Sequence, residues 1–285
     1  MKEVHDYYTE DGEKIEYSIT GKGIPILVLH GGHSNCQEEF GYEELVEQGY
    51  QIITPSRAGY GNTSPSIGKS LKTSCKAYLQ LLNQLQIDAV HVISISAGGP
   101  SGIFFASQYP DRVKSLILQS AVTKEWLTSK DKAYKAAQVL FRPSLEKYTW
   151  KMISSFSKRF PKIIFKQMAS SFSSLPYTEI QLKLRDEDFK KFIKMNSRQR
   201  SGHGFMIDLK QTSSVTISDL QAINCPTLIL HSYNDSAVPI EHAYHASKHI
   251  QQAALCLLDT WGHLIWLGSG SEKVHEELLR FLNTV

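Results

Sequence analysis

No stretch of the 285 residues approaches the roughly 20 consecutive apolar positions that a membrane-spanning helix needs. The opening MKEVHDYYTEDGEK also lacks the basic start and apolar segment of a secretory signal, so a cytoplasmic location is expected. Cysteine is scarce. Cys36, Cys75, Cys225 and Cys256 show no CxxC spacing and no nearby histidine, which argues against a zinc site or a disulfide framework and leaves four reduced thiols. Low-complexity segments and internal repeats are missing. Basic residues are dispersed and form no nucleic-acid-binding motif, so nucleic acid is not an expected partner.

What is present is a 41% hydrophobic content, enough to bury a substantial core, with 21% charged residues, as in ordinary globular proteins. The net charge of +3 is unevenly spread: residues 123–215 hold 19 Lys/Arg against 8 Asp/Glu. Such a basic region could steer anionic substrates or rest on an anionic membrane surface, although a solvated basic face is the plainer reading.

Val4–Tyr8 and Lys14–Thr20, separated by Asp11-Gly12, predict two antiparallel strands. Ile24–His30 is a short apolar run ending in glycines, the pattern of a buried parallel strand. A helix is expected over about Cys36–Gln48, then a strand at Gln51–Thr54, a helix at Lys69–Leu85, a strand at Ala89–Ser94 and a helix at Gly99–Gln108. Further strands are predicted at Ser115–Gln119, Thr227–His231 and Ala254–Leu258, before a closing amphipathic helix at Glu272–Leu282. This alternation implies an α/β fold, a mostly parallel eight-stranded sheet flanked by helices. Between Ala121 and Val215 the strand rhythm stops and helix-like spacing takes over. The chain therefore divides into a core of residues 1–121 and 216–285 and a helical insertion of 122–215, laid as a lid over the carboxyl edge of the sheet.

The strongest local signal is His91-Val-Ile-Ser-Ile-Ser96-Ala97-Gly98-Gly99, an apolar strand running into a serine flanked by small residues. A sharp strand-to-helix turn holds such a serine in a strained backbone, so the residues two before and two after it must be small. Ser94 stands where the usual G-x-S-x-G pattern has its first glycine. Asp235, just past the apolar run Thr227–His231, can orient a histidine and stabilise its imidazolium. Asn-Asp after a strand is also ordinary turn chemistry. His263, in Asp259-Thr-Trp-Gly-His263 after the last predicted strand, is the candidate base among eleven histidines. Its position completes the order Ser, Asp, His.

Together with His30-Gly31-Gly32-His33 and the loop Ser56-Arg-Ala-Gly-Tyr-Gly-Asn-Thr-Ser64, these features make nearly the whole chain resemble the α/β-hydrolase superfamily, of the kind with a helical cap. The resemblance implies a catalytic triad of Ser96, Asp235 and His263. It also implies an oxyanion hole formed by the Ala97 backbone N–H and a second N–H from Gly32, or alternatively His33. Two departures stand out: the loop at Ser56 lacks the aspartate that often starts it, and Ala58 intrudes. A serine at the nucleophile position speaks against the epoxide hydrolase and haloalkane dehalogenase branches.

The implied activity is that of a carboxylesterase-like serine hydrolase cleaving a carboxylic ester, lactone or thioester bond of a small molecule, with no metal or cofactor required. Alternatives are C–C bond hydrolysis, a cofactor-free haloperoxidase or oxygenase reaction, and a non-catalytic ligand-binding role. The substrate could be anionic or carry an apolar acyl group. Phe141, Tyr148, Trp150, Met152, Phe156, Phe160, Phe165 and Met168 could line an acyl pocket or simply pack helices together, and His203 could reach the site from the insertion. A monomer or homodimer is expected.

Overall fold

The computed structural model describes residues 2–128 and 130–285. Met1 of the expected core and Ser129 of the expected insertion lie outside the described residues. The chain opens with β1 (Val4–Tyr8) and β2 (Lys14–Thr20), an antiparallel pair. The Gly12 N–H closes their turn on the Thr9 carbonyl at 2.8 Å. Then β3 (Ile24–Leu29), α1 (Glu43–Glu47), β4 (Tyr50–Pro55), α2 (Leu71–Gln84), β5 (Val90–Ile95), α3 (Gly99–Gln108) and β6 (Val113–Gln119) alternate. Next come α4 (Lys132–Leu140), α5 (Glu146–Arg159), α6 (Pro161–Ala169), α7 (Tyr177–Lys183), α8 (Asp186–Arg198) and α9 (Gly204–Gln211). The chain ends with α10 (Ile217–Gln221), β7 (Thr227–Ser232), α11 (Glu241–His249), β8 (Ala253–Leu258) and α12 (Ser271–Leu282).

The eight strands form one sheet in the order β1-β2-β4-β3-β5-β6-β7-β8. β2 runs antiparallel to both neighbours, and every pairing from β4 to β8 is parallel. Successive side chains of a strand point to opposite faces. Ile26 and Val28 of β3 accordingly enter one core layer, with Trp261, Leu278 and residues of the inserted helices, while Leu27 and Leu29 enter the other, with α2 and α3. Continuous burial of this kind explains why β3, β5 and β7 read as unbroken apolar runs. His30, Ser96, Asp235 and His263 all lie just past the carboxyl ends of strands, on the edge where open α/β sheets bind ligands.

The helix expected over Cys36–Gln48 is confined to Glu43–Glu47. Side chains compete for the backbone before it: the Cys36 N–H donates to Ser56 Oγ at 3.0 Å, and the Gln37 N–H to Asn35 Oδ1 at 2.9 Å. Gly41 then turns the chain at φ +75°. α11 has no counterpart in the sequence reading. Among the described residues no helix is long and apolar enough to cross a membrane.

Candidate active site

β5 delivers Ser96 at the strand-to-helix turn with φ +51°, a left-handed conformation rarely adopted by a residue with a Cβ. The turn is tight enough that a Cβ on Gly98 would stand 2.2 Å from the Leu29 carbonyl oxygen. Ser94 fits for a different reason. A Cβ at Gly102 of α3 would stand only 1.7 Å from Ser94 Oγ, so the helix glycine makes the room that a strand glycine usually provides.

Ser96, His263 and Asp235, far apart in sequence, meet in a hydrogen-bonded line. Ser96 Oγ lies 2.9 Å from His263 Nε2, and His263 Nδ1 lies 2.7 Å from Asp235 Oδ2. The carboxylate only accepts, so Nδ1 carries the imidazole proton and Nε2 accepts the Ser96 hydroxyl. The other carboxylate oxygen, Oδ1, accepts the Ala237 and Val238 N–H groups, both at 2.9 Å. His231 lies beside Asp235 and gives its Nε2–H to the Val238 carbonyl at 2.9 Å. Burial holds the His231 pKa below its ordinary value, against the pull of Asp235, so it adds no charge here.

A segment that the sequence did not single out fixes both loops. Between α6 and α7, the Phe172 carbonyl accepts the His263 N–H at 2.8 Å, the Ser174 N–H donates to the Asn234 carbonyl at 2.9 Å, and Ser173 pairs with Asp235 as an isolated bridge. This approach explains Gly262: a Cβ there would stand 2.4 Å from the Phe172 oxygen. The bonds use backbone groups, so no side-chain pattern announced them.

The loop after β3 runs beside Ser96. His30 is fully buried and accepts the Arg57 N–H on Nε2 at 2.9 Å, which leaves Nδ1–H to donate to the Gly31 carbonyl at 2.8 Å. Burial, reinforced by Arg57, keeps His30 well below its ordinary pKa and hence neutral. Gly32 lies against Ala97 and Phe205. Neither the Gly32 nor the Ala97 N–H has a protein acceptor among the described residues.

These groups open into a cavity of about 450 Å³. Its wall is mostly apolar and includes Phe40, Phe141, Trp150, Met168, Phe172 and Trp266. Of the eight residues considered as an acyl wall, Phe141, Trp150 and Met168 line it. Phe165 is instead buried, with its ring centroid 4.9 Å from Phe192 and 5.4 Å from Trp261, and Tyr148, Met152, Phe156 and Phe160 are exposed. His203 is exposed and does not reach the cavity; its backbone N–H is bonded to the Gly59 carbonyl. Among the described residues no Lys or Arg lines the cavity, so the basic charge of the insertion is spent elsewhere.

Known proteins share this fold. A family model described as alpha/beta hydrolase fold matches residues 24–268. The chain is 58% identical over 284 residues to an uncharacterized hydrolase, YcgS, of Bacillus subtilis strain 168, covering 100% of both chains. It is 25% identical to a 2-hydroxy-6-oxononadienedioate/2-hydroxy-6-oxononatrienedioate hydrolase of Paraburkholderia xenovorans, covering 95% of this chain and 92% of that one. A solved alpha/beta hydrolase fold protein from Nakamurella multipartita superimposes with a TM-score of 0.84 at 25% identity, covering 98% of this chain and 99% of that one.

Proposed function

Because this chain belongs to the α/β-hydrolase fold family, we propose that it is a serine hydrolase that cleaves the ester, lactone or thioester bond of an uncharged small molecule through an acyl-enzyme on Ser96. The observation that carries this reading is the Ser96–His263–Asp235 line, with the proton of each hydrogen bond assigned by the acceptor-only carboxylate. Ser96 Oγ attacks the carbonyl carbon while His263 Nε2 takes its proton, and Asp235 stabilises the imidazolium that forms. The negative charge that develops on the carbonyl oxygen is met by the Gly32 and Ala97 N–H groups. His263 then returns the proton to the leaving oxygen or sulfur, and a water activated by the same nitrogen releases the acid. In this reading residues 122–215 act as a lid whose aromatic side chains close the cavity over the acyl group.

Similarity to a hydrolase of a dioate favours carbon–carbon bond hydrolysis as a second reading. A doubly anionic substrate would lie in a cavity that no Lys or Arg lines among the described residues, and an uncompensated buried carboxylate is costly. The apolar wall therefore supports an uncharged substrate. Steady-state assays with p-nitrophenyl esters of increasing acyl length test the proposal: Ser96→Ala, with folding verified by circular dichroism, should lower kcat/KM by at least about 10³-fold. Turnover that survives this substitution refutes the assignment.

A further inference from the structure

His33 holds a left-handed backbone, φ +61°, and lines the cavity beside Ser96. Its ring sits among three aromatic side chains of the same wall, with centroids 4.3 Å from Phe141, 5.1 Å from Trp150 and 4.0 Å from Phe205. Burial lowers its pKa to about 3, so at neutral pH the imidazole carries a single proton. Its neighbours decide which nitrogen holds that proton.

The Trp150 indole N–H can only donate, and it donates to Ser201 Oγ at 2.7 Å. Ser201 is fully buried, and its Oγ lies 2.7 Å from His33 Nδ1. Among the described residues Nδ1 is the one acceptor within reach of the Ser201 hydroxyl proton. Ser201 therefore donates to Nδ1, and the proton of His33 resides on Nε2. Nε2 has no protein partner among the described residues, and it is not one of the polar atoms sealed from solvent without a partner. A donor held by a relay of two hydrogen bonds is thus left open in an apolar chamber. A few such groups fix orientation and specificity in apolar binding sites.

We propose that the His33 Nε2–H is a specificity donor that binds an uncharged oxygen acceptor on the substrate, so that the preferred substrates carry an ether, keto or hydroxyl oxygen away from the scissile bond. The assignment rests on the reading of the cavity as the substrate site of a serine hydrolase. An anionic acceptor fits less well because, among the described residues, no Lys or Arg lines the wall to balance it. Ser201, held by the Trp150 indole N–H, acts as a positioning residue, since it sets the tautomer from behind the cavity lining.

The test uses pairs of p-nitrophenyl esters of equal chain length, with one methylene replaced by an ether oxygen at successive positions. Equilibrium binding to Ser96→Ala is measured by calorimetry and kcat/KM on the wild type. At one position the ether should be preferred by about 3- to 10-fold in both measurements, the span of one neutral hydrogen bond. In His33→Phe the preference, read as the ratio of ether to all-carbon ester within that variant, should collapse to the value set by intrinsic ester reactivity. Ser201→Ala, which frees the tautomer, should weaken the preference, and His33→Gln, whose amide N–H falls near the same point, should restore part of it. An ether preference that is absent, or equal in wild type, His33→Phe and Ser201→Ala, overturns the proposal. Loss of Ser96 dependence with the preference intact would instead overturn the hydrolase reading and leave the His33 donor standing.

Discussion

Glu38 is a buried carboxyl at the cavity wall, and its environment sets a pH dependence of stability. Burial raises its pKa to about 7, against the opposing pull of the Glu39 N–H, Arg198 and Lys2. The folded state then holds this proton more tightly than the unfolded chain does. The stabilisation contributed by this one group is fully present below the ordinary carboxyl value of 4.5 and is lost as the pH rises through about 7. The span is on the order of 3 kcal/mol. Urea denaturation of Glu38→Gln from pH 4.5 to 8 should lose most of this slope; an unchanged slope would place the titration elsewhere. Ser96, Asp235 and His263 were legible in the sequence because each follows an apolar strand in the right order. Glu38 was not, because in Gln37-Glu38-Glu39 nothing distinguishes the buried acid from its half-buried neighbour. The tautomer of His33 was equally hidden, since it depends on Ser201 and Trp150 in the insertion.

Between elements, a buried ion pair joins the loop after β4 to α9. Arg57 makes a bidentate ion pair with Asp208 at 2.6 and 2.7 Å, both side chains 3% exposed, and the Tyr60 hydroxyl donates to the same carboxylate at 2.6 Å. Arg57 also holds His30 through two bonds and so steadies the loop that carries Gly32. Removing one member of a buried pair leaves an uncompensated charge, so Asp208→Ala should destabilise the protein by about 3–5 kcal/mol in denaturant unfolding. A loss below about 1 kcal/mol would show that the contact is dispensable. The Ser56–Ser64 loop was recognisable in the sequence, but its partner on α9 carried no signal there. The acid missing from the start of that loop is supplied from β2: Glu16 accepts from Ser56 Oγ at 2.8 Å and from Asn62 Nδ2 at 2.6 Å. A carboxylate displaced onto a neighbouring strand cannot be found by matching a local pattern.

Across the whole molecule, the sheet follows from the sequence, and the packing of the helices between β6 and β7 does not. Strands of a parallel sheet are buried on both faces, so their apolar runs are visible one by one. The aromatic residues of the inserted helices share one spacing yet meet three fates: Phe165 lies in the core, Phe141 on the cavity wall and Phe156 at the surface. Only the docked arrangement separates them. The Phe172–Ser174 segment between α6 and α7 also bonds to the loops that carry Asp235 and His263. The central claim, that these loops activate Ser96, is tested most directly by stoichiometric labelling with a fluorophosphonate followed by mass spectrometry of the digested protein. One phosphonyl group per chain is expected, on Ser96, with labelling slowed at least about 10³-fold in His263→Ala. Labelling on another residue, or an undiminished rate in His263→Ala, would contradict it.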